Sequence, residues 1–241
     1  MESVTAVLTK FRRTRWLFDQ QLTAVQNQTY PVEKILVHDN RENNYGPWAR
    51  FATALMATTD WIWVIDDDIH PNSAWLEKAM KANAVQPALR GPSGTILPAE
   101  AKEPMVDDYG EQNWLEIGAA KAFHNDEIAE DTQVDFVIQG YLFKREWLKW
   151  FWEKDFKDSS EWFYSEDQWL SWQCHKRGIP RYAQGWDRND DRTRGTTGYF
   201  AEMGLKDERG LWSAGSWEYR NRYADHWRQL IKQGFKPINH A

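Results

Sequence analysis

The stretch Trp61-Ile62-Trp63-Val64-Ile65-Asp66-Asp67-Asp68-Ile69-His70-Pro71 constrains this chain more than any other. Five apolar residues, β-branched or aromatic, run straight into three carboxylates. An uninterrupted run of this kind predicts a strand buried on both faces, as in the middle of a parallel sheet. Three consecutive carboxylates at its carboxyl end repel one another unless a cation sits among them. Ligands of open α/β sheets bind outside the carboxyl ends of the strands, so a site is expected here. A solvated acidic turn ahead of Pro71 is the plainer reading of the same residues.

The flanking sequence supplies the rest of a sheet. Residues 4–9 predict a first strand, and Lys10-Phe11-Arg12-Arg13 sets two guanidinium groups just past its end. Phe18, Leu22 and Val25 at helical spacing predict an amphipathic helix that stops before Tyr30-Pro31. Lys34-Ile35-Leu36-Val37 predicts a second strand closing on His38-Asp39-Asn40, so the two strands should be parallel with a right-handed crossover. Gly46-Pro47 opens a second helix, with Trp48, Phe51, Leu55 and Met56 expected to face the core. A third helix covers roughly residues 73–84. This alternation predicts an α/β fold with a mostly parallel central sheet flanked by helices.

Beyond residue 90 the pattern loosens. Residues 98–113 are acidic and contain Pro98, Pro104 and Gly110, which predicts an excursion over the surface. Val134-Asp135-Phe136-Val137-Ile138 predicts a strand reaching Gln139-Gly140-Tyr141, followed by a helix with Trp147, Leu148 and Phe151. Ser165-Glu166-Asp167 stands at the start of a helix that runs to about Arg177 and is stopped by Gly178. Serine and two acids suit a helix's first turn, which explains them without any function. Residues 186–198 combine charge with glycine, as a loop does, or as a lid that orders over a bound diphosphate does. A final helix is expected from Ser216 to about Gly234, with Tyr223, Trp227, Leu230 and Ile231 on one face. No repeat or linker interrupts the chain, which predicts one domain: residues 1–90 as a nucleotide-binding half, 91–185 as an acceptor half, and 186–241 as a loop and C-terminal helix.

Composition narrows the classes. A formal net charge of -6 argues against nucleic acid as the main partner. No run of about 18 apolar residues is present, so no transmembrane segment is expected. Val4-Thr5-Ala6-Val7-Leu8 begins a strand without a signal-peptide pattern, and Cys174 is the only cysteine, excluding an intrachain disulfide and a Cys-rich zinc site. A soluble, cytoplasmic protein is expected. The sixteen tryptophans are mainly core and groove packing, with a subset available to a sugar ring or base.

Five local segments, each at a predicted strand end or helix start, resemble the GT-A fold of nucleotide-sugar glycosyltransferases, and glycosyltransferase family 2 most of all. Thr9-Lys10-Phe11-Arg12-Arg13 is similar to that family's Thr-x-Tyr-Asn-Arg opening. Asp39 stands where the family places an acid that reads the base. Asn44-Tyr45-Gly46-Pro47-Trp48-Ala49-Arg50-Phe51 resembles Asn-x-Gly-x-x-x-Ala-Arg. Asp66-Asp67-Asp68 satisfies the Asp-x-Asp signature, and Ser165-Glu166-Asp167-Gln168-Trp169-Leu170 is similar to the Glu-Asp-x-x-Leu segment that carries the family's catalytic base. The resemblance spans roughly residues 3–185. Two residues separate Asp68 from Pro71, where the family commonly has three or four, so the metal-contacting aspartate stays open among Asp66, Asp67 and Asp68.

The resemblance implies a metal-dependent inverting glycosyltransferase that moves a sugar from a nucleoside-diphosphate sugar, with UDP favoured over GDP, to a hydroxyl of a glycan or glycoconjugate. Asp68, helped by Asp66, would hold Mn²⁺ or Mg²⁺, because hard oxygen ligands select such cations. Asp67 would meet the ribose, and Asp39, Thr9 and Arg13 would border the base. Arg50 would reach the diphosphate or lock Asp39 and Asp66 by charge-assisted bonds. Asp167 would be the catalytic base, supported by Glu166, with Gly140 and Tyr141 lining the acceptor side. His70 is expected in a supporting or surface role. Two other classes compete: a nucleotidyltransferase or nucleotide-sugar pyrophosphohydrolase, which also uses acids and Mg²⁺, and a non-catalytic tryptophan-rich sugar-binding module. Against the first, the chain has no Gly-x-x-x-x-Gly-Lys-Ser/Thr loop. No Gly-x-Ser-x-Gly elbow supports a serine hydrolase.

Overall fold

The computed structural model describes residues 1–11, 15–97, 121–123, 129–153, 165–195 and 217–238. Its centre is a seven-stranded sheet in the order β2-β1-β3-β9-β4-β10-β7. The first three strands are β1 (Val4–Lys10), β2 (Lys34–Asp39) and β3 (Trp61–Ile65), all parallel. Strand β9 (Gly140–Lys144) runs antiparallel to β3, with Ile65 opposite Gly140. Beyond it lie β4 (Leu89–Gly91), β10 (Arg181–Ala183) and β7 (Thr132–Gln133). Five strands point one way, and β9 and β7 oppose them. A smaller antiparallel sheet joins β5 (Ser93–Ile96) to β6 (Lys121–Phe123) and β8 (Phe136–Ile138).

Helices cover both faces of the large sheet. Alternate residues of β1 and β3 (Val4, Ala6, Leu8, Trp61, Trp63, Ile65) pack toward α1 (Arg15–Gln26) and α3 (Trp75–Val85), with the Trp63 and Trp75 rings stacked 5.1 Å apart. The intervening residues, Val7, Ile62 and Val64, face α2 (Trp48–Ala54), α4 (Leu148–Phe151), α5 (Glu166–His175) and the C-terminal α6 (Trp217–Lys232). A strand with a layer on each face needs apolar side chains at every position, and all five residues of β3 are buried. No described helix is long and apolar enough to cross a membrane.

Three expectations are corrected. Leu55 and Met56 do not face the core: they are 60% and 58% exposed. The helix ends at Ala54, and the Leu55 and Met56 amides close tight bonds to the carbonyls of Ala52 and Thr53, turning both side chains outward. Residues 134–144 form two strands in two sheets rather than one strand: β8 stops at Ile138, Gln139 takes a left-handed backbone (φ 69°), and β9 starts at Gly140. The predicted helix around Trp147 is a 3₁₀ turn (Arg145–Trp147) leading into the four-residue α4. The predicted excursion at 98–113 lies outside the described residues.

Gly91 fixes how closely the two sheets meet. A Cβ there would stand 2.3 Å from the Gly140 carbonyl oxygen and 2.4 Å from Val137 Cγ1. Neither the backbone nor the packed valine can yield cheaply, so Gly91→Ala should cost about 1–3 kcal/mol. The urea midpoint measures this; an unchanged midpoint would mean that the β4–β9 contact is looser than it stands here.

Candidate active site

The parallel β1, β2 and β3 end on the same edge of the sheet, and the antiparallel β9 begins there. Thr9, Asp39, Asp66, Gly140 and Tyr141 therefore share one rim, although they come from four separate segments. The Thr9 hydroxyl is buried and has no hydrogen-bond partner among the described residues. A buried hydroxyl needs a partner that the described residues do not supply.

The three aspartates form a turn that is held from behind. The Ile69 amide donates to the Asp66 carbonyl (3.2 Å), and Gln21 Nε2 donates to the carbonyls of Asp66 (2.5 Å) and Ile69 (2.7 Å). The Asp66 amide donates to the Gln139 carbonyl at 3.3 Å, and the Ser93 hydroxyl donates to Gln139 Oε1 at 2.6 Å. Asp66, Asp67 and Asp68 stay half-buried. His70 follows it half-buried, its pKa lowered by desolvation.

Arg50 joins this turn to the far acid pair. Its guanidinium reaches Asp66 Oδ1 at 2.6 Å and Glu166 Oε1 at 2.5 Å, across 116 residues of sequence in the second case. Burial works against the charge on Arg50, but Asp66 and Glu166 together hold its pKa above the ordinary guanidinium value. Burial also raises the pKa of Glu166, which Arg50 opposes. Tyr141 packs beneath, its ring centroid 5.4 Å from the guanidinium carbon. Burial and then the charges of Asp66 and Glu166 push the Tyr141 pKa well up, so it stays a neutral phenol. Asp167, buried beside Glu166, accepts the Gln168 amide at 2.7 Å, and its charge adds to the field at Tyr141.

The structure thus brings Arg50, Asp66, Gly140, Tyr141, Glu166 and Asp167 together, with Asp67 and Asp68 on the adjoining turn. Asp39 is apart. The expected Arg50–Asp39 lock is not formed; Asp39 pairs with Arg41 instead, Nε to Oδ1 at 2.8 Å and Nη2 to Oδ2 at 2.5 Å. Those bonds hold the Asp39 carboxyl down at about 2. Arg13 lies outside the described residues. Ser165 does not cap α5 with its side chain, contrary to the first-turn expectation. Of the expected loop 186–198, residues 186–195 lie beside the segment after the acidic turn: the Asn72 amide donates to the Arg194 carbonyl and the Ala74 amide to that of Arg192.

Two supporting residues escaped the sequence reading. Gln21 was legible: Phe18, Gln21, Leu22 and Val25 form one helical stripe, and a polar residue in a buried stripe asks for a partner. Gln139 was not, because nothing in its identity announces a left-handed backbone.

Among the described residues no three His, Cys, Asp or Glu side chains form a ready-made metal cage. A short donor set suits Mg²⁺ or Mn²⁺ held jointly by one or two carboxylates and substrate phosphates. Asp66 and Asp68 offer hard oxygens of that kind at the strand end. No protein-family model matches the chain, and no curated protein matches it either.

Proposed function

We propose that this protein is a GT-A-type, metal-dependent inverting glycosyltransferase that moves a sugar from a UDP-sugar to a hydroxyl of a glycan or glycoconjugate. The observation that carries the reading is the Arg50 bridge: one buried guanidinium holds the acidic strand end and the α5 acid pair in a single rigid site. Transfer needs both in register, the first to hold the cation that would neutralise a leaving diphosphate and the second to take the acceptor's proton. Asp68 and Asp66 would hold Mn²⁺ or Mg²⁺, which when bound supplies Lewis-acid stabilisation of the departing diphosphate. Asp67 faces the ribose. Thr9 and Asp39 border the base, with Arg13 expected beside them.

Asp167 is assigned as the base. Glu166 has one oxygen committed to Arg50, which leaves it to hold the pair in place and contact the acceptor. Tyr141, neutral and buried, closes the floor of the acceptor side with Gly140. An acceptor hydroxyl that gives its proton to Asp167 as it attacks opposite the leaving diphosphate inverts the anomeric centre.

Calorimetric titration of UDP and GDP, each with and without Mn²⁺, tests the donor half. Metal-dependent UDP binding is expected, and Asp68→Ala should remove the metal dependence. Failure of both nucleotides to bind the folded protein would refute the reading, and unchanged Mn²⁺-dependent affinity in Asp68→Ala would refute that ligand assignment. Release of UDP from the donor in the presence of acceptor supports transfer; release of UMP would identify a pyrophosphohydrolase.

A further inference from the structure

We propose that the C-terminal segment clamps the acid-bearing helix α5, with His226 as a positioning residue for Glu166 and Asp167; this rests on the transferase reading above. The Ser165 hydroxyl and His226 Nδ1 are hydrogen-bonded to one another, 61 residues apart in sequence. Both residues are buried, at 0% and 2% exposure. Ser165 occupies the N-cap position of α5 yet makes no side-chain capping bond. A serine cap is ordinarily worth about 1 kcal/mol, and here that local bond gives way to a tertiary one at the residue before the acid pair.

The opposite end of α5 is held by the same segment. The Lys236 amide donates to His175 Nε2 at 3.3 Å, and the Phe235 ring lies 4.5 Å from that of His175 and 5.7 Å from that of Trp172. The Ile238 amide then donates to Asp135 Oδ1 at 2.6 Å, while Asp135 Oδ2 accepts the Leu97 amide. Trp227 and Leu230 bury α6 in the core between these anchors. A rigid α5 follows, with its first turn set by His226 and its last by residues 235–236. A Ser–His pair also suggests a nucleophile, but a serine with no exposed surface cannot meet a substrate, and its carbonyl is taken by the Trp169 amide.

His226→Ala tests the clamp, and His226→Asn, which sets a side-chain amide close to where Nδ1 stood, is the conservative control. In His226→Ala, kcat should fall on the order of 10²-fold, as misplacement of a catalytic group by about 1 Å does. UDP affinity should be unchanged, because Thr9, Asp39 and Asp66–Asp68 stand at the ends of β1, β2 and β3 rather than on α5. His226→Asn should recover most of kcat. Amide exchange over Glu166–Trp169 should accelerate in the alanine variant and return in the asparagine one. Wild-type kcat in His226→Ala, unchanged exchange, or joint loss of kcat and UDP binding that asparagine does not restore would each overturn the proposal. A wild-type protein that neither binds UDP nor transfers sugar counts against the transferase reading instead, and the exchange experiment still judges the clamp.

Discussion

Asp167→Asn is expected to lower the rate of sugar transfer by ~10²–10⁴-fold, the range a general base contributes, while UDP binds as in the wild type. The substitution keeps the shape and the oxygen that accepts the Gln168 amide. It removes only the charge and the ability to take a proton. Kinetics and calorimetry on one preparation separate the two effects. A variant that transfers at the wild-type rate would displace the base from Asp167, and Glu166→Gln would then be the next substitution to measure. Loss of UDP binding together with activity would place Asp167 in the donor pocket rather than on the acceptor side.

Arg50→Met should be the most destabilising single change at the site. Arg50 is buried and touches both Asp66 and Glu166. Removing one partner of a buried ion pair leaves its acids uncompensated in a low dielectric, at a cost of about 3–5 kcal/mol. For a chain of this size that lowers Tm by roughly 10 °C. The deficit should depend on pH with a definite sign. Burial already raises the pKa of Glu166 and Arg50 opposes the rise, so losing Arg50 raises it further. The penalty falls on the ionised carboxylate. It is therefore full above the folded-state pKa of Glu166 and shrinks as pH drops through that value. Thermal melts from neutral to acidic pH measure this, and a small or pH-independent deficit would contradict the buried bridge. Arg50→Lys should fall between, since an ammonium keeps the charge but lacks the planar fork that spans two acids.

These two results bear on different halves of the proposal. The arginine variant asks whether the strand-end acids and the α5 acids are one electrostatic unit. The asparagine variant asks what that unit does. A stable, inactive Asp167→Asn beside an unstable Arg50→Met would separate chemistry from architecture.

Much of the frame was written locally in the chain. The uninterrupted Trp61–Ile65 run required burial on both faces, and β1, α1, β2, α2, β3 and α3 follow in the predicted order. Their parallel pairing puts Asp39 and Asp66 on one edge, because strands joined by helical crossovers all end on the same side. Gly178 (φ 67°) and Gly234 (φ 100°) follow α5 and α6 where helix stops were read, since only glycine enters that region without strain. The acids at Asp66–Asp68 and Glu166–Asp167 were visible as residue types at strand ends and helix starts.

What local pattern does not contain is partnership across the chain. Arg50 bonds Asp66 and Glu166 rather than Asp39, and no spacing rule connects residues 50 and 166; the contact exists because β3 and α5 both pack against α2's neighbourhood. Asp39 turned instead to Arg41, two residues away, while the Arg50 guanidinium is taken by Asp66 and Glu166. Ser165 bonds His226 where a helix cap was expected, a choice made by the arrival of α6 in the core. Leu55 and Met56 had the right period but lay past the end of their helix, and a periodicity holds only while the helix does. Sequence by itself determined the six elements from β1 to α3, the start of α5, and which carboxylates stand at their ends, because those follow from burial pattern and turn chemistry along the chain. Tertiary structure alone decided which charges meet, because a buried charge takes the partner that folding brings within hydrogen-bond reach.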